Sequence, residues 1–196
     1  AAWCGIKFSL ATSNPLYYAH KLYVNNVLVE DLVVEGTSSI GNYAFNELYS
    51  LNTITIRGDV KVIGDDAFNG SLADIIYIEE GVTTIGNNAF WDIDAVDLYI
   101  PSTITTIKGA AFDTGTTITN VYIADISAWC GITFALESAN PLREPENMYL
   151  YDAALEEHVL VEDLVIPDSV ITVGDYAFYQ ADFINSVTFG SGTLRI

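Results

Sequence analysis

Four tyrosines, Tyr77, Tyr99, Tyr122 and Tyr149, recur at steps of 22, 23 and 27 residues. Spacing of that size brings side chains together only where successive turns of a chain stack on one another. Three of them are the middle residue of an alternating triplet, in Ile76-Tyr-Ile78, Leu98-Tyr-Ile100 and Val121-Tyr-Ile123. In a strand the outer residues of such a triplet point inward and the middle one points out. Stacked strands lie about 4.8 Å apart, so the four rings fall within contact of each other. The same outward column runs through Tyr23, Val33 and Thr55 before them and Val165 and Thr188 after them. Two readings are open. A ladder of rings stabilises a sheet, at roughly 0.2–1 kcal/mol per cross-strand pair. It also makes a binding face, because tyrosine joins apolar area to a hydroxyl and is enriched at interfaces. Glu79, Asp97, Asn120 and Asp163 would flank the rings with polar groups. The expected ligand face is therefore Tyr77, Tyr99, Tyr122 and Tyr149 with Asp97, Asn120 and Asp163.

Other reactive residue types point away from catalysis. Cys4 and Cys130 sit in two copies of Ala-Trp-Cys-Gly-Ile, 126 residues apart. Some five stacked repeats would hold them on the order of 25 Å apart, against a limit of about 7 Å for bridged Cα atoms. They read as separate, buried structural thiols. His20 and His158 fall in spacer loops without a metal-like partner and read as surface residues. Asp92-Ile-Asp94 and Glu144-Pro-Glu146 lack the glycine and ligand run of a calcium loop. No phosphate-cradling loop, nucleophile elbow or Cys/His metal set is present, so no catalytic residue, metal or cofactor is expected.

The elements that position the tyrosines are marked by an Ala-Phe pair. Its phenylalanines are Phe45, Phe68, Phe90, Phe112 and Phe178, at steps of 23, 22, 22 and three times 22. A fixed period of this size indicates units that bury their apolar faces only against their neighbours. The expected fold is an α/β repeat solenoid with one short parallel strand per unit and short helical or 3-10 turns. The phenylalanines would stack as an internal column. Gly41, Gly64, Gly86 and Gly174 close the second apolar pair of the unit and are expected at positive φ. Asp65, Asn87 and Asp175 follow them and would cap one helical turn carrying Ala-Phe inward. A larger repeat overlies the small one. Residues 2–24 match 128–150 at an offset of 126, and Val29-Glu-Asp-Leu32 matches Val161-Glu-Asp-Leu164 at 132. The extra residues lie around Asp152 to His158. The chain reads as one solenoid over 1–196, with a first supermodule (1–126), a partial second one (127–196), and the character of a piece of a longer protein.

Charge and composition narrow the partners. With 26 acidic and 7 basic side chains the formal charge is −19, which opposes nucleic acid and anionic membrane. Its simplest role is solubility. Apolar residues make up 51% of the chain but alternate with Thr, Asp and Asn, and no run approaches the roughly 20 needed to span a bilayer.

The unit Leu98-Tyr-Ile100-Pro101, Ile104-Thr-Thr-Ile107, Ala111-Phe112 and the spacer Ile126-Ser-Ala-Trp-Cys-Gly-Ile-x-Phe134 with Asn140-Pro-Leu142 resemble the BspA-type leucine-rich repeats of bacterial surface proteins. The strand-ending proline of that pattern survives only as Pro101 and Pro167. Asn46, Asn69, Trp91, Asp113 and Tyr179 stand where the family often carries a small residue or Cys. The resemblance implies a right-handed leucine-rich-repeat stack in a secreted or surface-anchored bacterial protein. It implies adhesion to a host extracellular protein or glycan, or to another bacterial surface component. A structural spacer and, third, a carbohydrate-active enzyme are the alternatives. End-to-end self-association through uncapped terminal repeats is a further expectation.

Overall fold

A computed structural model describes residues 3–113, 115 and 117–192, so the extreme ends of the 1–196 array lie outside the described residues. Most turns of the chain contribute a long and a short strand. After helix α1 (Leu16–Ala19) the strands β1 (Tyr23–Val24) and β2 (Val27–Leu28) form a hairpin. Four coils follow: β3 (Asp31–Val34) with β4 (Ser39–Ile40), β5 (Leu51–Ile56) with β6 (Val62–Ile63), β7 (Ala73–Ile78) with β8 (Thr84–Ile85), and β9 (Asp94–Ile100) with β10 (Thr106–Ile107). Next come β11 (Thr117–Ile123), helix α2 (Ile126–Cys130), β12 (Thr133–Phe134), β13 (Asn147–Asp152), β14 (Glu157–Leu160), β15 (Asp163–Ile166) and β16 (Ser186–Phe189).

The long strands form a seven-stranded sheet in the order β14-β13-β11-β9-β7-β5-β3, parallel except for β14. The two-residue strands form a second, all-parallel sheet, β12-β10-β8-β6-β4. Five successive units therefore carry a second, short strand beside the expected long one. The sequence does not reveal it, because a two-residue strand leaves almost no alternation to read. In both sheets equal-length coils keep equivalent residues opposite one another, as in Ile54↔Ile76 and Ile76↔Leu98. The inward residues Ile54, Ile56, Ile76, Leu98 and Val121 are fully or almost fully buried.

An aromatic column runs through the buried core. Phe45, Phe68, Phe90 and Phe112 stack at 5.3 Å between successive ring centroids, close to the strand spacing. Phe178 is half-buried and packs on the same core without a ring partner among the described contacts.

The arc that holds this column is not the helical turn the capping pattern implied. Its N–H groups alternate between their own coil and the next one. Ala44 N–H bonds Gly41 C=O, while Phe45 N–H bonds Ala67 C=O at 2.8 Å; Phe68 and Phe90 repeat the second bond to Ala89 and Ala111. Asp65 and Asn42 cap the neighbouring coil, not their own. Asp65 Oδ1 accepts from Asn87 N–H at 2.9 Å and Asn42 Oδ1 from Asp65 N–H at 3.2 Å. The helices and 3-10 turns lie in the spacers instead.

The glycines before the arc also differ from expectation. The positive φ falls two residues later, at Tyr43 (59°), Asp66 (54°), Asn88 (51°) and Tyr176 (63°), and at Ala110 (53°) two residues after Lys108, which stands in the glycine's place. Glycine is required for closeness: a Cβ on Gly86 would lie 2.7 Å from Asp65 N, and one on Gly174 2.9 Å from Ile132 O.

The spacers are anchored by their tryptophans. Trp129 is buried and donates Nε1–H to Ala177 C=O at 2.9 Å; its counterpart Trp3 donates to Ala44 C=O at 2.7 Å. Cys4 and Cys130 are buried free thiols.

Candidate functional site

The parallel register Tyr77↔Tyr99, Tyr99↔Tyr122 and Tyr122↔Tyr149 puts four rings on the outer face of the large sheet. They stack with centroids 4.6, 4.3 and 4.7 Å apart and planes within 24° of parallel. Tyr77 is exposed, whereas Tyr99, Tyr122 and Tyr149 are half-buried. Burial raises the Tyr99 and Tyr122 hydroxyl pKa values above the ordinary phenol value. For Tyr99 the neighbouring Tyr122 and Tyr77 add to this, and for Tyr122 the Asp97 carboxylate does. Tyr99 and Tyr122 therefore stay neutral and offer hydroxyl groups rather than phenolates.

Two residues before Tyr99, Tyr122 and Tyr149 runs a polar rail on the same face. Asp97 Oδ1 accepts from Asn120 Nδ2 at 2.8 Å, and Asn120 Oδ1 accepts from Asn147 Nδ2 at 3.0 Å. Asp97 and Asn120 thus flank the rings, and Asn147 completes the row. Its place was readable, since it precedes Tyr149 as Asn120 precedes Tyr122.

Asp163 does not join them. It lies on β15, which pairs only with β16 in a separate two-stranded sheet, and its Oδ1 accepts from Ser186 Oγ at 2.5 Å. The cause is the β13–β14 hairpin, which turns back antiparallel beside β13 and ends the seven-stranded sheet. Val165 and Thr188 leave the tyrosine column for the same reason. Tyr23 leaves it because β1 pairs only with β2. Glu79 is engaged by Arg57, with 2.5 Å between Oε1 and Nη1.

His158 is not a loop residue. It lies on β14 opposite Tyr151, and its imidazole meets Tyr99, Tyr122 and Tyr151 at steep angles, with centroids 5.8, 5.2 and 5.5 Å away. Burial lowers its pKa below the usual 6.5. The sequence hid this contact because the hairpin carries residues absent from its counterpart β1–β2. The inserted stretch read as a longer loop. His20, the other histidine, stacks flat on Tyr49 at 4.4 Å.

Elsewhere the polar side chains serve each other. A cavity of about 150 Å³ lies between Phe112, Ile118 and Pro145, and its one cation, Arg143, bonds Asp113 at 2.8 Å. Among the described residues no group of three or more His, Cys, Asp or Glu side chains is placed to hold a metal ion. No helix among them is long and apolar enough to cross a membrane.

Comparison with known proteins agrees with this architecture. No curated protein matches the chain. Among solved structures, a leucine-rich repeat protein from Eubacterium ventriosum superposes with a TM-score of 0.55 at 20% identity, over 97% of this chain and 54% of its own length. The pneumococcal vaccine antigen PcpA aligns over 88% of this chain and 39% of its own, with a TM-score of 0.42 and 16% identity. A model of the BspA-type leucine-rich repeat region matches six copies over residues 21–135 and 149–196. That match takes in most of the chain and all four rungs of the ladder, and the chain belongs to the BspA-type leucine-rich repeat family.

Proposed function

We propose that this chain is a non-catalytic, secreted or cell-surface repeat module that binds a protein or glycan on the outer face of its large sheet. The supporting observation is the ladder Tyr77-Tyr99-Tyr122-Tyr149. Four stacked aromatic rings line up on the outer surface beside the hydrogen-bonding rail of Asp97, Asn120 and Asn147. Rings of this kind supply contact area at low entropic cost, with hydroxyls for specificity. The non-catalytic reading draws on the family and on the acidic side chains, many of which accept hydrogen bonds from the next coil. A spacer role draws on the same rings, since stacking stabilises the sheet whether or not anything binds.

Replacing Tyr99 and Tyr122 together by Ser separates the two readings. Wild-type and variant chains are used as bait for extracellular-matrix proteins and on a glycan array, with circular dichroism as the folding control. A binding module loses most of its capture while its spectrum is retained. Undiminished capture by the folded double variant removes this face as the ligand site.

A further inference from the structure

The stacked rings leave one aromatic face free. Tyr99 and Tyr122 each have a ring on both sides, and β14 follows Tyr149 at the far end. Among the described residues Tyr77 has a ring on one side only. Its other face looks along the sheet to Thr55 on β5 and then Val33 on β3, where the register continues without an aromatic side chain. Tyr77 is 36% exposed, in keeping with an open end. Beyond it lies a shelf two strands wide, about 10 Å.

The sides of that shelf are polar. Residues two apart along a strand share a face, so Arg57 and Glu79 line one side, joined as an ion pair at 2.5 Å. Thr53 and Asp31 line the other, with Thr53 Oγ1 donating to Asp31 Oδ1 at 2.8 Å. The floor is an aliphatic or hydroxyl side chain and the end wall is a π-face.

We propose that the open end of the ladder is a saccharide subsite, in which a pyranose ring stacks on the free face of Tyr77 above Thr55 and a second sugar residue lies above Val33. This rests on the reading of the sheet as a ligand face and names its ligand class. The pitch fits, because a sugar stacked on Tyr77 takes the place a fifth rung would occupy. The chemistry fits as well. A pyranose presents C–H groups to the π-face and hydroxyls at its rim, and the rim meets donors and acceptors on both sides of the shelf. An aromatic side chain from a protein partner would match the face but would set an apolar rim against Arg57, Glu79 and Asp31.

The test uses the full chain and a panel of short neutral gluco-, chito- and galacto-oligosaccharides, with affinities read by titration calorimetry. At least one series binds the wild type. Tyr77→Ala weakens it about tenfold, the scale of one lost aromatic stacking contact. Thr55→Tyr weakens it by at least as much, because the new ring extends the ladder and fills the platform, while the melting temperature does not fall. Tyr77→Phe binds within about twofold of wild type, since the ring face is kept. The proposal is overturned if no series binds the wild type, or if binding survives Thr55→Tyr. Capture of a protein through Tyr99 and Tyr122 without any saccharide binding overturns this subsite alone. Loss of both kinds of binding from the face overturns the interaction reading with it.

Discussion

Cys130 shows what the stack does to a single reactive side chain. It is 1% exposed, and burial, helped by the nearby Asp125 carboxylate, pushes its pKa from the ordinary 9.0 up to about 11. The thiolate is the nucleophile, so burial makes this thiol inert at neutral pH. The sign of its pH dependence follows. The unfolded chain releases this proton near pH 9 and the folded chain only near about 11. The thiol's contribution to stability is thus intact below pH 9 and is lost as the pH climbs through about 11. Alkylation at pH 8 is expected to label Cys130 slowly in the native protein and rapidly in urea. Equal rates would mean that the spacer core opens freely. The residue type and its place in Ala-Trp-Cys-Gly-Ile were enough to foresee a buried thiol, because small apolar residues around a tryptophan belong to a core.

At the scale of elements, the β13–β14 hairpin is the feature that sets this solenoid apart from a plain pile of coils. It ends the large sheet, displaces Asp163 into another sheet, and lays His158 against Tyr99, Tyr122 and Tyr151. The groups packed on the imidazole are phenol rings, and its lowered pKa comes from burial. Its contribution to hairpin docking is therefore present above pH 6.5 and is lost as the pH falls below that value. Hydrogen exchange of β14 amides, corrected for intrinsic rates, should show protection dropping between neutral and mildly acidic pH. In His158→Phe that drop should vanish. Protection that grows on acidification would refute this account. The long strands and the phenylalanine column were legible in the sequence because periods of 2 and 22 are both strong signals. The hairpin was not, since its β14 half has no equal-length partner in the first supermodule. The glycine turns misled for a related reason. Glycine serves both positive φ and close backbone approach, and only coordinates show that Gly86 sits against Asp65 N while Asn88 takes the left-handed turn.

At the scale of the whole molecule, the acidic composition acquires a structural meaning beyond solubility. Asp65 Oδ1 accepts from Asn87 N–H at 2.9 Å, Glu80 Oε1 from Ser102 N–H at 2.8 Å and Asp168 Oδ1 from Ser191 N–H at 2.7 Å. Each carboxylate closes a turn of the following coil, so many of the negative charges are rivets between neighbours. Bonds that reach only one coil away make stability a sum of nearest-neighbour terms. Deleting residues 67–88, one full coil, then joins Asp66 to Ala89 and returns every column to register. Ile54 comes to face Leu98, Phe45 faces Phe90, and Thr55 faces Tyr99. The shortened chain should fold cooperatively with a modestly lower melting temperature. Its ladder should lose one ring yet keep an open aromatic face, now that of Tyr99, above Thr55. Deleting residues 67–77, half a coil, sets strands against turns and should leave the chain unfolded. Circular dichroism melts of the two deletions decide the matter. If the full-coil deletion also fails to fold, the coils are not interchangeable, and their equal spacing does not describe how the molecule is held together.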